Sequence, residues 1–176
     1  MKRAIHLFPS FHSLEKIQEI RKYYDPLSDK IPPHITLVFP FNSCISQNDI
    51  LDHVESVAEC ISPFSLTLRD VTGFAGECLF LNVKNGNDFI IQLHDELYKG
   101  ILAPFRNHHF TYTPHITLGR LDNKRDYIRA VERYKDWEEV FHTVVKEVVV
   151  EEIDVDDVSN IIGRMPLNGQ SFNLDN

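Results

Sequence analysis

Pro33-His34-Ile35-Thr36-Leu37 recurs letter for letter as Pro114-His115-Ile116-Thr117-Leu118, an offset of 115 − 34 = 81 residues. Each copy is rich in β-branched and apolar residues and follows a helical pattern and a loop. Both therefore read as strands, and the chain reads as two similar halves. In a strand, residues i and i+2 share a face. His34 and Thr36 project together, with Ile35, Leu37 and Phe39 on the opposite, core-facing side, and the same division sets His115 and Thr117 against Ile116 and Leu118. Packing accounts for the isoleucines and leucines. It does not account for an identical imidazole and hydroxyl on the other face of both copies.

Outward from the repeat, residues 3–8 read as a strand and 13–21 as a helix capped by Ser13 and ending before Asp25-Pro26. The first motif strand closes at Pro40, and residues 46–61 show helical spacing through Ile50, Leu51, Val54 and Val57. Strands follow at 64–68 and 78–83, with a turn around Gly73 and Gly76 between them. Asn87 or Asp88 then caps a third helix that continues to about Ala103, and a loop over 105–113 leads to the second motif. A charged helix after Asn123 runs to Tyr134, and strand patterns cover 141–145, 148–153 and 161–167. This order predicts a mixed α+β fold.

A chain of 176 residues fits one domain, spanning 1–176, with room for a substantial core. No apolar run is long enough for a signal peptide or a membrane span, which predicts a cytoplasmic protein with no membrane partner. Cys44, Cys60 and Cys78 are widely spaced and form no C-x-x-C pair, so they are expected to be reduced and buried rather than paired or zinc-bound. The net charge of −8 argues against long nucleic acid as a partner, because polyanions are held chiefly by Lys and Arg. Acidic residues concentrate late, at Glu147 and through 151–157, and a small or terminal phosphate remains compatible with the rest.

Imidazole is the side chain best placed to take and return a proton near neutral pH, and two of them can act as base and acid in one turnover. Phosphodiester cleavage needs both roles: the attacking oxygen loses a proton while the departing oxygen gains one. The Thr36 and Thr117 hydroxyls can donate to the non-bridging oxygens as charge gathers there, worth about 2–4 kcal/mol each in a preorganised site. This scheme calls for no metal and no cofactor. His108-His109 with His115 is the one tempting metal cluster, but adjacent loop histidines are seldom co-ligands and no carboxylate stands at a familiar spacing. The loop aromatics Phe105, Phe110 and Tyr112 are candidates to stack on a base, and Arg106 to meet a phosphate.

The two His-x-Thr motifs, together with Leu7-Phe8-Pro9, Arg21-Lys22-Tyr23-Tyr24-Asp25-Pro26 and Ile31-Pro32-Pro33-His34, resemble the 2H phosphoesterase superfamily, the 2′-5′ RNA ligase-like proteins. Within it they are similar to a bacterial branch of phosphoesterases. The resemblance implies a bilobal α+β fold with pseudo-two-fold symmetry, each lobe an antiparallel sheet backed by helices, around a central cleft. It also implies His34 as proton donor and His115 as proton acceptor. Related members carry an arginine after the second motif, matched by Arg120, which makes it a substrate-binding candidate although strict alternation aims it away from His115 and Thr117. Founding ligases carry Phe-Leu-Gly after the first motif, where this chain has Val38-Phe39-Pro40. The expected activity is therefore hydrolysis of a 2′,3′-cyclic phosphate or related phosphodiester of a nucleotide or RNA end. RNA-end ligation and nucleotide binding without turnover are the alternatives.

Overall fold

The computed structural model describes residues 1–109 and 111–169. Its elements run β1 (Lys2–Leu7), α1 (Leu14–Tyr24), β2 (Ile35–Asn42), α2 (Gln47–Ala58), β3 (Phe64–Phe74), β4 (Cys78–Asn85), α3 (Asn87–Leu97), a 3₁₀ turn (Gly100–Phe105), β5 (His115–Arg120), α4 (Lys124–Tyr134), β6 (Phe141–Val145), β7 (Glu147–Ile153) and β8 (Ser159–Pro166). Two four-stranded sheets result, ordered β2-β1-β7-β8 and β5-β4-β3-β6, with every neighbouring pair antiparallel. The fold is α+β, and it is duplicated. Each motif strand lies at the edge of its sheet, beside the strand that precedes it in its own half: β1-α1-β2-α2 corresponds to β4-α3-β5-α4. The later strands tie the halves together, because β7 and β8 return to complete the first sheet after β6 has joined the second.

Local chemistry explains most element ends. Ser46 caps α2 by accepting a hydrogen bond from the Asp49 amide at 3.1 Å, and Asn123 caps α4 from the Asp126 amide at 2.9 Å. Ser13 occupies the cap position of α1, but its side chain makes no capping bond. The third helix differs from its sequence reading. Its cap is Gly86, in the left-handed region at φ 95°, where a Cβ would meet the Ser65 carbonyl oxygen at 2.8 Å, so the turn takes a residue without one. That helix ends at Leu97, and the stretch holding Pro104 forms a separate 3₁₀ turn, since proline supplies no amide hydrogen. β3 also outruns its prediction, passing through Gly73 to Phe74.

Ile35 and Leu37 from the first motif and Ile116 and Leu118 from the second are fully buried, in one continuous apolar cluster that draws on both sheets. The expectation of buried cysteines is corrected: all three are free, Cys44 and Cys60 are exposed, and Cys78 is half-buried. Cys44 follows β2 and Cys60 follows α2, both in surface connections where no core is available. Among the described residues no helix is long and apolar enough to cross a membrane.

Candidate active site

Both motif strands are interrupted at the same place. In the β1–β2 ladder His6 faces Thr36 and Ile5 faces Val38, so Leu37 is an extra residue. In the β4–β5 ladder Phe80 faces Thr117 and Leu79 faces Gly119, so Leu118 is extra. Such a bulge reverses the inward-outward parity of everything after it. Two consecutive buried residues mark the reversal in each copy, Leu37-Val38 and Leu118-Gly119. The residue that follows, Phe39 in one copy and Arg120 in the other, turns back to the motif face and lines the cleft. The strict alternation that sent Phe39 to the core and Arg120 away from the motif is corrected by this register shift. Gly119 is required there, because a Cβ would stand 2.6 Å from the Cβ of Tyr24 on α1.

β2 and β5 lie against each other, and a cavity of about 190 Å³ at their junction is lined by His34, Thr36, His115, Thr117, Arg120 and Phe39 among others. Each imidazole is clamped in the same way. His34 Nδ1 lies 2.8 Å from the Pro32 carbonyl oxygen, and His115 Nδ1 lies 2.6 Å from that of Thr113. A carbonyl oxygen only accepts, so Nδ1 carries the hydrogen and Nε2 is the basic nitrogen of the neutral ring. The ring supports differ between the halves. His34 packs against His6, with centroids 4.4 Å apart at 62°, whereas His115 stacks on Phe80 at 3.4 Å and 17°. Burial pushes the His34 imidazole well below its usual range; His6, Arg21 and Arg120 add to this and the Pro32 carbonyl opposes it. Burial likewise pushes His115 down to about 4, opposed by the Thr113 carbonyl and helped by Arg120. Both rings are neutral at pH 7 in the free protein.

Arg120 reaches from the cleft to Asp25, donating to its Oδ1. The other oxygen of Asp25 accepts from Nε and Nη2 of Arg21 at 3.1 and 3.0 Å, and both side chains of that pair are 1% exposed. Arg21 also donates to the Ile31 carbonyl at 2.9 Å, which secures the loop leading to His34. The i, i+4 spacing of Arg21 and Asp25 was visible in the sequence and could have flagged this pair. His6, which lines the cleft, had no such signal.

The loop before the second motif contributes less than its composition suggests. Phe105 packs on Phe41, centroids 4.8 Å apart, against the core. Tyr112 does line the cleft, stacked on His94 at 3.7 Å with its hydroxyl donating to the Thr36 carbonyl at 2.7 Å. Phe110 lies outside the described residues. Arg106 is paired with Asp95 at 2.6 Å, and His108 and His109 are exposed away from the cleft. Among the described residues no three His, Cys, Asp or Glu side chains gather into a metal-binding cluster.

Residues 8–157 match a family model described as the 2′-5′ RNA ligase superfamily. A Bacillus cereus protein named "Putative phosphoesterase" is 32% identical over 123 residues, covering 68% of this chain and 70% of its own length, and a Bacillus mycoides protein of the same name matches to the same extent. Among solved structures, a Thermus thermophilus protein superposes with a TM-score of 0.69 at 15% identity, over 97% of this chain and 100% of that one. E. coli LigT complexed with 3′-AMP superposes at 0.59 with 16% identity, over 94% and 97% of the two chains. At these identities the structural likeness is one of fold.

Proposed function

Since the chain belongs to the 2′-5′ RNA ligase superfamily, the 2H phosphoesterases, we propose that it hydrolyses a 2′,3′-cyclic phosphate or related phosphodiester of a nucleotide or RNA end, without a metal, with residues 1–176 acting as one bilobal unit. The observation that carries this reading is the duplicated clamp: two imidazoles, each locked by a carbonyl two residues upstream, in one small cavity with two threonines. Phosphoryl transfer asks the protein mainly for positioning and charge stabilisation.

In this reading the phosphate sits between the halves. His115, neutral and basic at Nε2, takes a proton from the attacking water as its oxygen bonds to phosphorus. His34 enters the step protonated, its charge supported by the bound anion, and gives that proton to the ribose oxygen as the P–O bond to it breaks. Thr36 and Thr117 donate to the non-bridging oxygens, and Arg120 matches their charge. A phosphomonoester leaves, and proton exchange with solvent resets the two rings. Phe39, Pro40 and Tyr112 line the cleft and offer an apolar surface suited to a nucleobase. The complex of E. coli LigT with 3′-AMP supports a nucleotide as the ligand class.

The test is incubation with 2′,3′-cyclic nucleotides and cyclic-phosphate-ended oligonucleotides in excess EDTA, comparing the unaltered protein with His34→Ala and His115→Ala. Each substitution is expected to cost about 10²–10⁴-fold in kcat, and kcat/KM is expected to follow a bell in pH. Activity abolished by the chelator overturns the metal-free scheme. Activity surviving both substitutions overturns the site, and tight binding without turnover identifies a binding module instead.

A further inference from the structure

The register that aligns the halves also aligns what stands behind each motif histidine. His6 faces Thr36 across the first ladder, and Phe80 faces Thr117 across the second. One catalytic candidate is thus backed by a titratable ring and the other by an apolar one. His6 is in turn anchored. Its Nε2 lies 2.9 Å from Oε1 of Glu151 on β7, whose Oε2 accepts from the Ser159 hydroxyl on β8. The His6 and Glu151 side chains are 3% and 1% exposed. Nδ1 of His6 is buried and has no hydrogen-bond partner in the protein.

We propose that His6, held by Glu151 and Ser159, is a positioning residue that fixes the His34 ring, and that the buried Glu151 carboxylate behind it favours the proton on this side of the cleft, which makes His34 the acid and His115 the base. The inference rests on the two-histidine reading above. A buried carboxylate is costly unless a positive charge accompanies it. The surrounding charges are otherwise committed: Arg21 and Arg120 share Asp25, and Lys2 pairs with Asp157 at 2.8 Å at the mouth. Glu151 is thus the carboxylate that stands behind the touching rings of His6 and His34.

Nε2–H of His6 donates to Glu151, which fixes the ring that His34 packs against. Arg21, Arg120 and a charged His6 all oppose a proton on His34 in the empty cleft. An anionic phosphate beside His34 reverses that balance and favours a proton on it. Around His115 no such device exists among the described residues, since Phe80 supplies no charge and Arg120 opposes protonation.

The experiment is a pH titration of ¹⁵N-labelled histidine rings by NMR, with and without inorganic phosphate, alongside pH profiles of kcat and KM on a 2′,3′-cyclic nucleotide. The variants are His6→Phe, which copies the second half, His6→Gln, which keeps a donor for Glu151 but cannot titrate, and Glu151→Gln. In the unaltered protein at pH 7, phosphate is expected to turn the His34 ring toward imidazolium and leave His115 neutral. In Glu151→Gln the midpoint for His34 with phosphate bound is expected to fall by about one pH unit, and the alkaline limb of kcat with it, about tenfold in rate at high pH. In His6→Phe and His6→Gln, which remove a group that opposes a proton on His34, the midpoint is expected not to fall while kcat drops about tenfold through lost positioning, with KM within threefold throughout.

Superimposable profiles in the unaltered protein and the three variants overturn the proposal, as does proton uptake at His115 instead of His34. Should the Glu151 variant fail to fold, the titration of the unaltered protein decides by itself. Absence of any turnover would overturn the phosphodiesterase reading, while the ring titration would still report on His6.

Discussion

Replacing Asp25 by Asn tests whether the buried charge pair behind the cleft holds the first motif in place. Asp25 Oδ2 accepts two bonds from Arg21 at 3.1 and 3.0 Å, and Oδ1 accepts from the Leu27 amide at 3.2 Å and from Arg120. Asn removes the charge and turns one acceptor into a donor, which then faces a guanidinium or an amide hydrogen with nothing to give either. Burial works against the Arg21 charge, and Asp25 is the principal group opposing that effect. Removing one member of such a pair costs about 3–5 kcal/mol. Arg21 keeps its bonds to Gln18 Oε1 at 3.1 Å and to the Ile31 carbonyl at 2.9 Å, which places the expected loss at the lower end. About 3 kcal/mol is a large share of a typical total of 5–15 kcal/mol. Equilibrium urea denaturation should show it as a lower midpoint at unchanged m, with a drop in Tm of roughly 6–12 °C for a chain of this size. The double change Arg21→Met with Asp25→Leu should recover most of the loss, because a well-packed apolar pair needs no counter-charge. A single-variant loss below about 1 kcal/mol would refute the reasoning, since it would mean that solvent or other groups already satisfy Arg21.

Gly119→Ala places a Cβ 2.6 Å from that of Tyr24, so α1 and β5 must separate; a loss of about 1–3 kcal/mol is expected by denaturation, with reduced phosphate affinity as Arg120 shifts. Arg120→Met removes a charge-assisted contact worth about 1.5–3 kcal/mol, so kcat/KM on a 2′,3′-cyclic nucleotide should fall roughly 10–100-fold while the fold, still holding the Arg21–Asp25 pair, melts nearly as before. His115 is held at about 4 against an ordinary 6.5, so the unfolded chain binds more protons over that interval and stability must fall as pH drops through it. The contribution is at most about 3 kcal/mol at 1.36 kcal/mol per unit, and His115→Ala should flatten the slope of denaturation free energy between pH 7 and pH 4.5.

What the sequence made legible was local. The face shared by His34 and Thr36 follows from strand geometry over three residues, and the helices beginning near Ser46 and Asn123 follow from apolar spacing over a few turns. The bulges were not legible, because an extra residue in β2 or β5 exists only relative to the partner strand that skips it. That is why Arg120 was sent to the wrong face by a rule correct only as far as Leu118. Gly86 was passed over as a cap for a related reason: its left-handed backbone serves the close approach to Ser65, twenty-one residues earlier in the chain. The His6–Glu151 contact spans 145 residues, and neither residue sits in a pattern that points to the other.

Duplication of the motif says where the chemistry sits; the departures from duplication say how it is divided. A site with a true two-fold axis would give both imidazoles the same surroundings and therefore the same protonation preference, which suits neither an acid nor a base. Here the backbone repeats faithfully through the motif, the bulge and the turn back to the cleft, while the side chains at equivalent stations do not. His6 stands where Phe80 stands, and Phe39 stands where Arg120 stands. The first exchange separates the two histidines by charge. The second puts an aromatic ring at one station and a cation at its equivalent, so that a nucleoside phosphate has one sensible orientation across the cleft. Reversing both exchanges together, His6→Phe with Phe80→His and Phe39→Arg with Arg120→Phe, tests whether polarity resides in these four positions alone. Activity should fall well below normal, because Glu151 would stay buried without its imidazole partner, and the groups exchanged into the other stations would find no equivalent of Glu151 or Asp25 among the described residues. Recovery of normal turnover in that variant would show that the four positions carry the asymmetry without the carboxylates behind them.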